Sequence, residues 1–208
     1  MRHAPTRPWR GMSAGDRQSL RRERLIDAGL DVIGTVGWAN TTVRDVCRGA
    51  GLTERYFYES FPDRDALLPA VFQHVADRCT AAVLAAFMAA PDGVRSKAHA
   101  PIAAALHLIT SDRRLGRVLF QEGGHPQLQT LRDDLAFASA ALLVDVATAY
   151  FGSAGRIDRD RATLSALSVV GAQTQLATAY LAGRLDTTVD ELVDHLVDLH
   201  IAALELAR

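Results

Sequence analysis

Residues 11–15, GMSAG, have the GxSxG spacing of a nucleophile elbow. That turn needs a buried strand before the serine and a helix after it. A segment rich in proline and arginine precedes Ser13 instead, so the serine is not expected to be a nucleophile. Glu191 and His195 stand four apart, and His200 follows five later. One carboxylate and one imidazole on a helix face do not complete a metal site, and no metal is expected. Cys47 and Cys79 form no CxxC pair and lie in apolar stretches, where free cysteine packs as a small hydrophobe. No glycine-rich loop follows a strand, so no nucleotide cofactor is expected. With no nucleophile–base pair, the chain is not read as an enzyme.

The densest cluster of functional side chains is LTERYFYESF, residues 52–61. Only 6% of the chain is aromatic, yet Tyr56, Phe57, Tyr58 and Phe61 fall within these ten positions beside Glu54, Arg55 and Glu59. On a helix, Phe57 and Phe61 share one face and can anchor it. Glu54 with Tyr58, Arg55 with Glu59, and Tyr56 with Ser60 form further stripes at the i,i+4 spacing. The tyrosines and charges are then left to face a partner.

The elements that must position this cluster are helical. Apolar residues make up 49% of the chain, and they recur at three and four. Leu25, Ala28, Gly29, Val32, Ile33 and Val36 give one face of a helix over 20–36, ended by Gly37. Thr41 or Thr42 caps a short second helix with Val46 and Cys47 inward. A GAGL turn at 49–52 follows, and Thr53 caps a third short helix. This is the plan of a helix-turn-helix. Pro62, Asp63 and Asp65 suit the start of a long helix over 63–89. Further helices are expected over 94–110, 113–121, 126–151, 159–182 and 188–207. The fold class is all-α: an N-terminal three-helix domain at 20–65 and a larger helical domain at 66–208. Residues 1–19 read as a disordered basic arm.

Net charge is only −1, but its distribution is uneven. Arg2, Arg7, Arg10, Arg17, Arg21, Arg22 and Arg24 crowd the front, and acids exceed bases from residue 65 onward. A basic front suits a polyanionic partner. Charges interrupt every apolar run before the roughly 18 residues of a membrane span. With no apolar segment of a secretory signal, a cytoplasmic protein is expected.

GWANTTVRDVCRGAGLTERYFYESFPDRDALL, within residues 20–70, resembles the DNA-binding segment of TetR-family transcriptional regulators. The likeness rests on Gly37, Thr41–Thr42, Ala50–Gly51, Phe57–Tyr58, Phe61 and the opening of the next helix at Asp65, Leu67 and Leu68. Cys47 stands where the family often has alanine. Tyr56 replaces a frequent small residue, and Arg64 is the cation left in the link after the third helix. The resemblance implies a homodimer that binds a palindromic double-stranded DNA operator, represses, and is released by a small effector. Carried over, Arg44, Glu54, Arg55 and Tyr56 are candidates for base edges, and Thr42, Thr53, Tyr58, Ser60 and Arg64 for phosphates.

The rear domain is expected to hold the effector and the dimer seam. Leu106, Ile109, Phe120, Leu135, Ala138 and Leu142 lie on wide apolar faces opposite alanines, which leaves room for a small hydrophobic or amphipathic molecule. His107, Asp145 and Gln175 are the candidate polar contacts. Leu192, Leu196, Leu199, Ala203 and Leu206 recur at four and three, as a helix–helix seam does, and Ser168 and Ala172 permit close approach on the preceding helix. The alternative reading is a helical small-molecule carrier or adaptor with an incidental helix-turn-helix, which would lack salt-dependent DNA binding.

Overall fold

The computed structural model describes residues 13–122, 126–151 and 157–207. Helix α1 spans Ala14–Val36. Ser13 is its N-cap. Its hydroxyl accepts from the Asp16 N–H at 3.1 Å, and its own N–H donates to the Asp16 carboxylate at 3.0 Å. That reciprocal box satisfies two donors which a helix start leaves orphaned. These bonds hold the Asp16 carboxyl below the usual carboxylate range. The helix therefore begins six residues before the expected position. Residues 14–19 are helix rather than arm, and Arg17 rides on it. The remaining arm positions, with Arg2, Arg7 and Arg10, lie outside the described residues.

Gly37, at φ +85, stops α1, and a 3-10 turn at Trp38–Asn40 leads into α2, Val43–Ala50. Thr42 caps α2 by accepting from the Asp45 N–H. Gly51 ends it in the left-handed region at φ +62, a conformation that favours glycine. Helix α3 is Glu54–Ser60. Thr53 occupies its N-cap position but makes no side-chain cap bond, contrary to expectation. The next helix, α4, is Leu67–Ala89, four residues later than expected. Before it Asp63 accepts from the Ala66 N–H at 2.8 Å and folds the link into a turn.

Four long helices follow in the rear: α5 at Val94–Ser111, α7 at Pro126–Phe151, α8 at Arg159–Leu181 and α9 at Val189–Leu206. Between α5 and α7 the expected single helix is broken. It is a four-residue α6, Arg113–Gly116, continued by a π-helical turn over Arg117–Gln121. No strand occurs among the described residues, and no described helix is long and apolar enough to cross a membrane.

The core is continuous. Leu25 and Ile33 of α1, Val46 of α2 and Phe57 of α3 are fully buried, and they run into Leu67, Leu68 and Val71 of α4. The same core extends to Ile102 and Leu106 of α5 and Leu192, Val193, Leu196 and Val197 of α9. Gly29 lets α1 and α4 close, since a Cβ there would stand 2.9 Å from Val71. A second, smaller cluster joins α7, α8 and the end of α9, and is mostly alanine: Ala140, Ala162, Ala166 and Ala207 with Val144.

Candidate functional site

Phe57 and Phe61 pin α3 inward as the i,i+4 spacing requires, with ring centroids 5.4 Å apart. The opposite side of α2–α3 is solvent-exposed and carries Thr42, Arg44, Thr53, Glu54, Arg55 and Tyr58. Arg44 and Arg55 have side chains 81% and 85% exposed. Each is placed beside an acid: Arg44 lies 3.9 Å from Glu54, and Arg55 3.1 Å from Glu59. Exposed pairs of this kind hold together by about 0–1 kcal/mol, so a polyanion can take the cations at small cost.

Three other candidates are engaged within the chain. Tyr56 is half-buried beneath the Arg21 guanidinium, 4.6 Å from its ring centre. Ser60 donates to the Tyr56 carbonyl at 3.0 Å. Arg64 donates to the Thr41 carbonyl at 3.1 Å and stacks over Trp38 at 4.3 Å. The basic front is likewise partly spent on the fold. Arg21 also pairs with Glu59 at 3.6 Å, Arg22 lies over Phe61 at 5.0 Å, and Arg24 donates to the Ala50 carbonyl at the end of α2. These arginines clamp α2 and α3 to α1.

Behind this surface, α1 is tied to α6 and the π turn. Arg117 donates to the Thr35 carbonyl at 2.8 Å and to Glu122 at 3.0 Å. Glu122 in turn accepts from the Trp38 N–H at 3.0 Å. Arg114 pairs with Asp31 of α1 and with Asp112. Its hydrogen bonds hold the Asp112 carboxyl below its usual range. Gly34 makes the approach possible, because a Cβ there would stand 2.8 Å from the Arg114 Cα. A contiguous set of contacts thus runs from the π turn through Glu122 and Trp38 to Arg64 and Thr41.

The π turn is also one wall of a cavity of about 370 Å³ lined by α4, α5, α7, α8 and α9. Leu106, Ile109, Phe120, Leu135 and Leu142 line it, but Ala138 does not. The three polar contacts expected from sequence lie elsewhere. His107 is exposed, 3.5 Å from Asp190; Asp145 is exposed and bonded to Arg159 at 3.1 Å; Gln175 is exposed on α8. The polar lining comes instead from Lys97, Arg132, His200, Gln173, Thr174 and Ser139. Arg132 donates to the Leu119 carbonyl of the π turn at 2.7 Å, and burial pushes its pKa down. His200 must carry its proton on Nδ1, which donates to the Leu196 carbonyl at 2.7 Å. Burial pushes its pKa down as well. Cys79 also lines the cavity, and burial raises its thiol pKa to about 11.

The sequence profile described as "Bacterial regulatory proteins, tetR family" matches residues 25–71, the segment that forms α1 to the start of α4. Residues 25–71 are thus similar to the DNA-binding segment of the TetR family. The HTH-type transcriptional regulator BetI of Klebsiella pneumoniae (strain 342) is 36% identical over 80 residues, which is 38% of this chain and 41% of that protein. The match therefore spans less than half of the curated relative. Among solved structures, the fatty acid degradation regulator FadR from Bacillus halodurans superposes with a TM-score of 0.72 at 18% identity, covering 87% of this chain and 94% of that one. FadR from Bacillus subtilis, solved in complex with stearoyl-CoA, gives 0.72 at 16%, covering 87% and 98%. These two show that the shared fold reaches through the rear domain.

Of the expected seam on α9, only Leu206 is well exposed. Leu192 and Leu196 are buried in the chain's own core, Leu199 packs partly against it, and Ala203 lines the cavity. The sequence spacing was that of an amphipathic helix, and α5 and α8 already cover its apolar side. On α8, Ser168 is exposed and Ala172 half-buried. Leu164 and Leu206 remain uncovered near the same end of the α8–α9 pair, where the Asp158 N–H donates to the Ala207 carbonyl. No group of three or more metal-ligating side chains occurs among the described residues.

Proposed function

We propose that this chain is a DNA-binding transcriptional regulator, a homodimeric repressor of a palindromic operator that a small amphipathic molecule releases. The observation that carries this reading is the set of hydrogen bonds joining the cavity wall to the helix-turn-helix, from Arg117 and Glu122 to Trp38. A ligand that displaces Leu119 or Phe120 moves the same turn that holds the end of α1. It shifts DNA affinity by as much as it prefers one position of that turn over the other. The stearoyl-CoA held by the Bacillus subtilis FadR, a protein of the same fold, is amphipathic in this sense.

At the DNA, α3 enters the major groove. Arg44 and Arg55 leave their carboxylate partners and donate to guanine, while the freed Glu54 accepts from cytosine N4. Thr42, Thr53 and Tyr58 face phosphate and fix the register. Tyr56, Ser60 and Arg64 serve as supports of that surface. The dimer forms through the exposed side of α8 with Leu206. Gly171 sits there in mid-helix, and a Cβ added to it would meet nothing within 4 Å. Glycine costs a helix about 1 kcal/mol relative to alanine, and this chain alone supplies no reason for it. A second α8 approaching closely would.

The test is fluorescence anisotropy with DNA flanking the gene. Binding is expected to weaken with salt as phosphate contacts are screened. Arg44→Ala should cost about 1–3 kcal/mol and relax one base position. Deleting residues 2–12 should flatten the salt slope if the arm follows the backbone. Salt-independent binding, or none to any flanking DNA, would return the chain to the carrier or adaptor reading.

A further inference from the structure

Lys97 is the only lysine in a chain whose other side-chain cations are all arginine. It is also one of the most buried charged groups, 8% exposed, and it lines the cavity. Its Nζ donates to the Phe87 carbonyl at 3.1 Å and lies 5.0 Å and 5.2 Å from the ring centres of Phe87 and Tyr150. An ammonium has three hydrogens, so this leaves donor capacity unused. Among the described residues Nζ forms no ion pair, and Asp92 is bonded to the Tyr150 hydroxyl. The described lining of the cavity contains no aspartate or glutamate, yet it contains Lys97, Arg132 and His200. Arg132 is turned to the carbonyls of Leu119 and Val118. An isolated buried charge is costly unless paired, and the rest of the lining is apolar apart from neutral side chains such as Ser139, Gln173 and Thr174.

We propose that the cavity binds an anionic amphipath, with its carboxylate or phosphate head on Lys97 and its hydrocarbon tail among Phe72, Ile102, Leu106 and Leu135. The anion supplies the counter-charge that the chain lacks, and the two rings exclude water around the pair, which strengthens it. Lysine suits this place better than arginine because its compact ammonium accepts a head of either geometry as a point charge. The proposal rests on the effector reading of the cavity and adds the charge of the ligand to it. The competing structural role is that Lys97 merely satisfies a carbonyl in the last turn of α4, as cations near helix C-termini do.

Titration calorimetry of the full-length protein with decanoate, decyl phosphate, decanol and decyltrimethylammonium decides between these. Decanoate or decyl phosphate should bind at least about tenfold more tightly than decanol, and the cationic amphiphile should not compete. Whichever anion binds more tightly identifies the head. In Lys97→Met the preference for the anion should vanish while decanol affinity stays, and Lys97→Arg should restore part of it. If the four probes bind alike, the cavity takes an amphipath but the anion assignment is wrong. If Lys97→Met loses stability and leaves the anion preference intact, the lysine is a helix cap only. If none of the probes binds, the effector reading of the cavity falls with it.

Discussion

In the helix-turn-helix head, large side chains hold the centre. Leu25, Ile33, Val46 and Phe57 are fully buried around one point, with Phe61 closing the edge. In the rear, α7 and α8 set small residues among larger ones along the cavity: Ala136, Ala147, Ala162, Ala166 and Ala177 line it. Small side chains let two helices run side by side without filling the space beyond them. The head therefore has one arrangement, held by side chains. The rear encloses a cavity between its helices. The two regions share the apolar core that α4 carries from Phe57 to Ile102, and a polar set at Arg114, Arg117 and Glu122 also ties the π turn to the end of α1.

That contrast is open to test. Phe57→Ala should destabilise the protein by about 3–5 kcal/mol, because the rigid head cannot collapse around the gap. Phe137→Ala, at a 63% exposed position of α7, should change stability by no more than about 0.5 kcal/mol. Urea unfolding monitored by helix content measures both. Similar losses from the two would mean that the head is not the more tightly packed region.

Leu196→Asp should cost about 3–5 kcal/mol by placing an uncompensated charge in the core, giving loss of fold rather than folded monomers. Leu164→Asp should instead keep the fold and shift a sizing column toward the monomer, since Leu164 is 68% exposed. A folded monomer from the first, or an intact dimer from the second, would put the seam back on α9.

The smallest effect concerns pH. His200 has a folded pKa depressed below its ordinary 6.5, chiefly by burial. The unfolded chain therefore takes up the proton first. The stabilisation is present in full above about pH 6.5 and is lost as pH falls through the depressed value. Thermal midpoints between pH 7.5 and 5 should fall, and His200→Gln should remove part of that slope. A slope unchanged in the variant would place the titration outside His200.

The head was legible because its signals are local. Gly37, Thr42, Gly51 and the Phe57–Phe61 spacing each state a backbone need or a buried face within a few residues. The missed start of α1 was local as well. Ser13 and Asp16 form a capping box three residues apart, hidden in a stretch that proline, glycine and arginine made look unstructured. Lys97 left a trace of a different kind, as the single lysine of the chain set in an alanine-rich run.

By itself the sequence determined the helices, their apolar faces and the order in which they follow, because hydrophobic periodicity and caps act over one or two turns. It could not say which neighbour covers an apolar face. Leu192 and Leu196 have the spacing of a dimer seam and of a core helix alike, and only the packing of α5 against α9 decides for the core. Nor could it say which polar residues of an apolar helix turn inward. His107 and Lys97 both stand on α5, ten residues apart; one ends beside Asp190 at the surface and the other beside Phe87 in the cavity. That choice depends on where α4 and α9 lie, and helix rotation is set by all the contacts of the bundle at once.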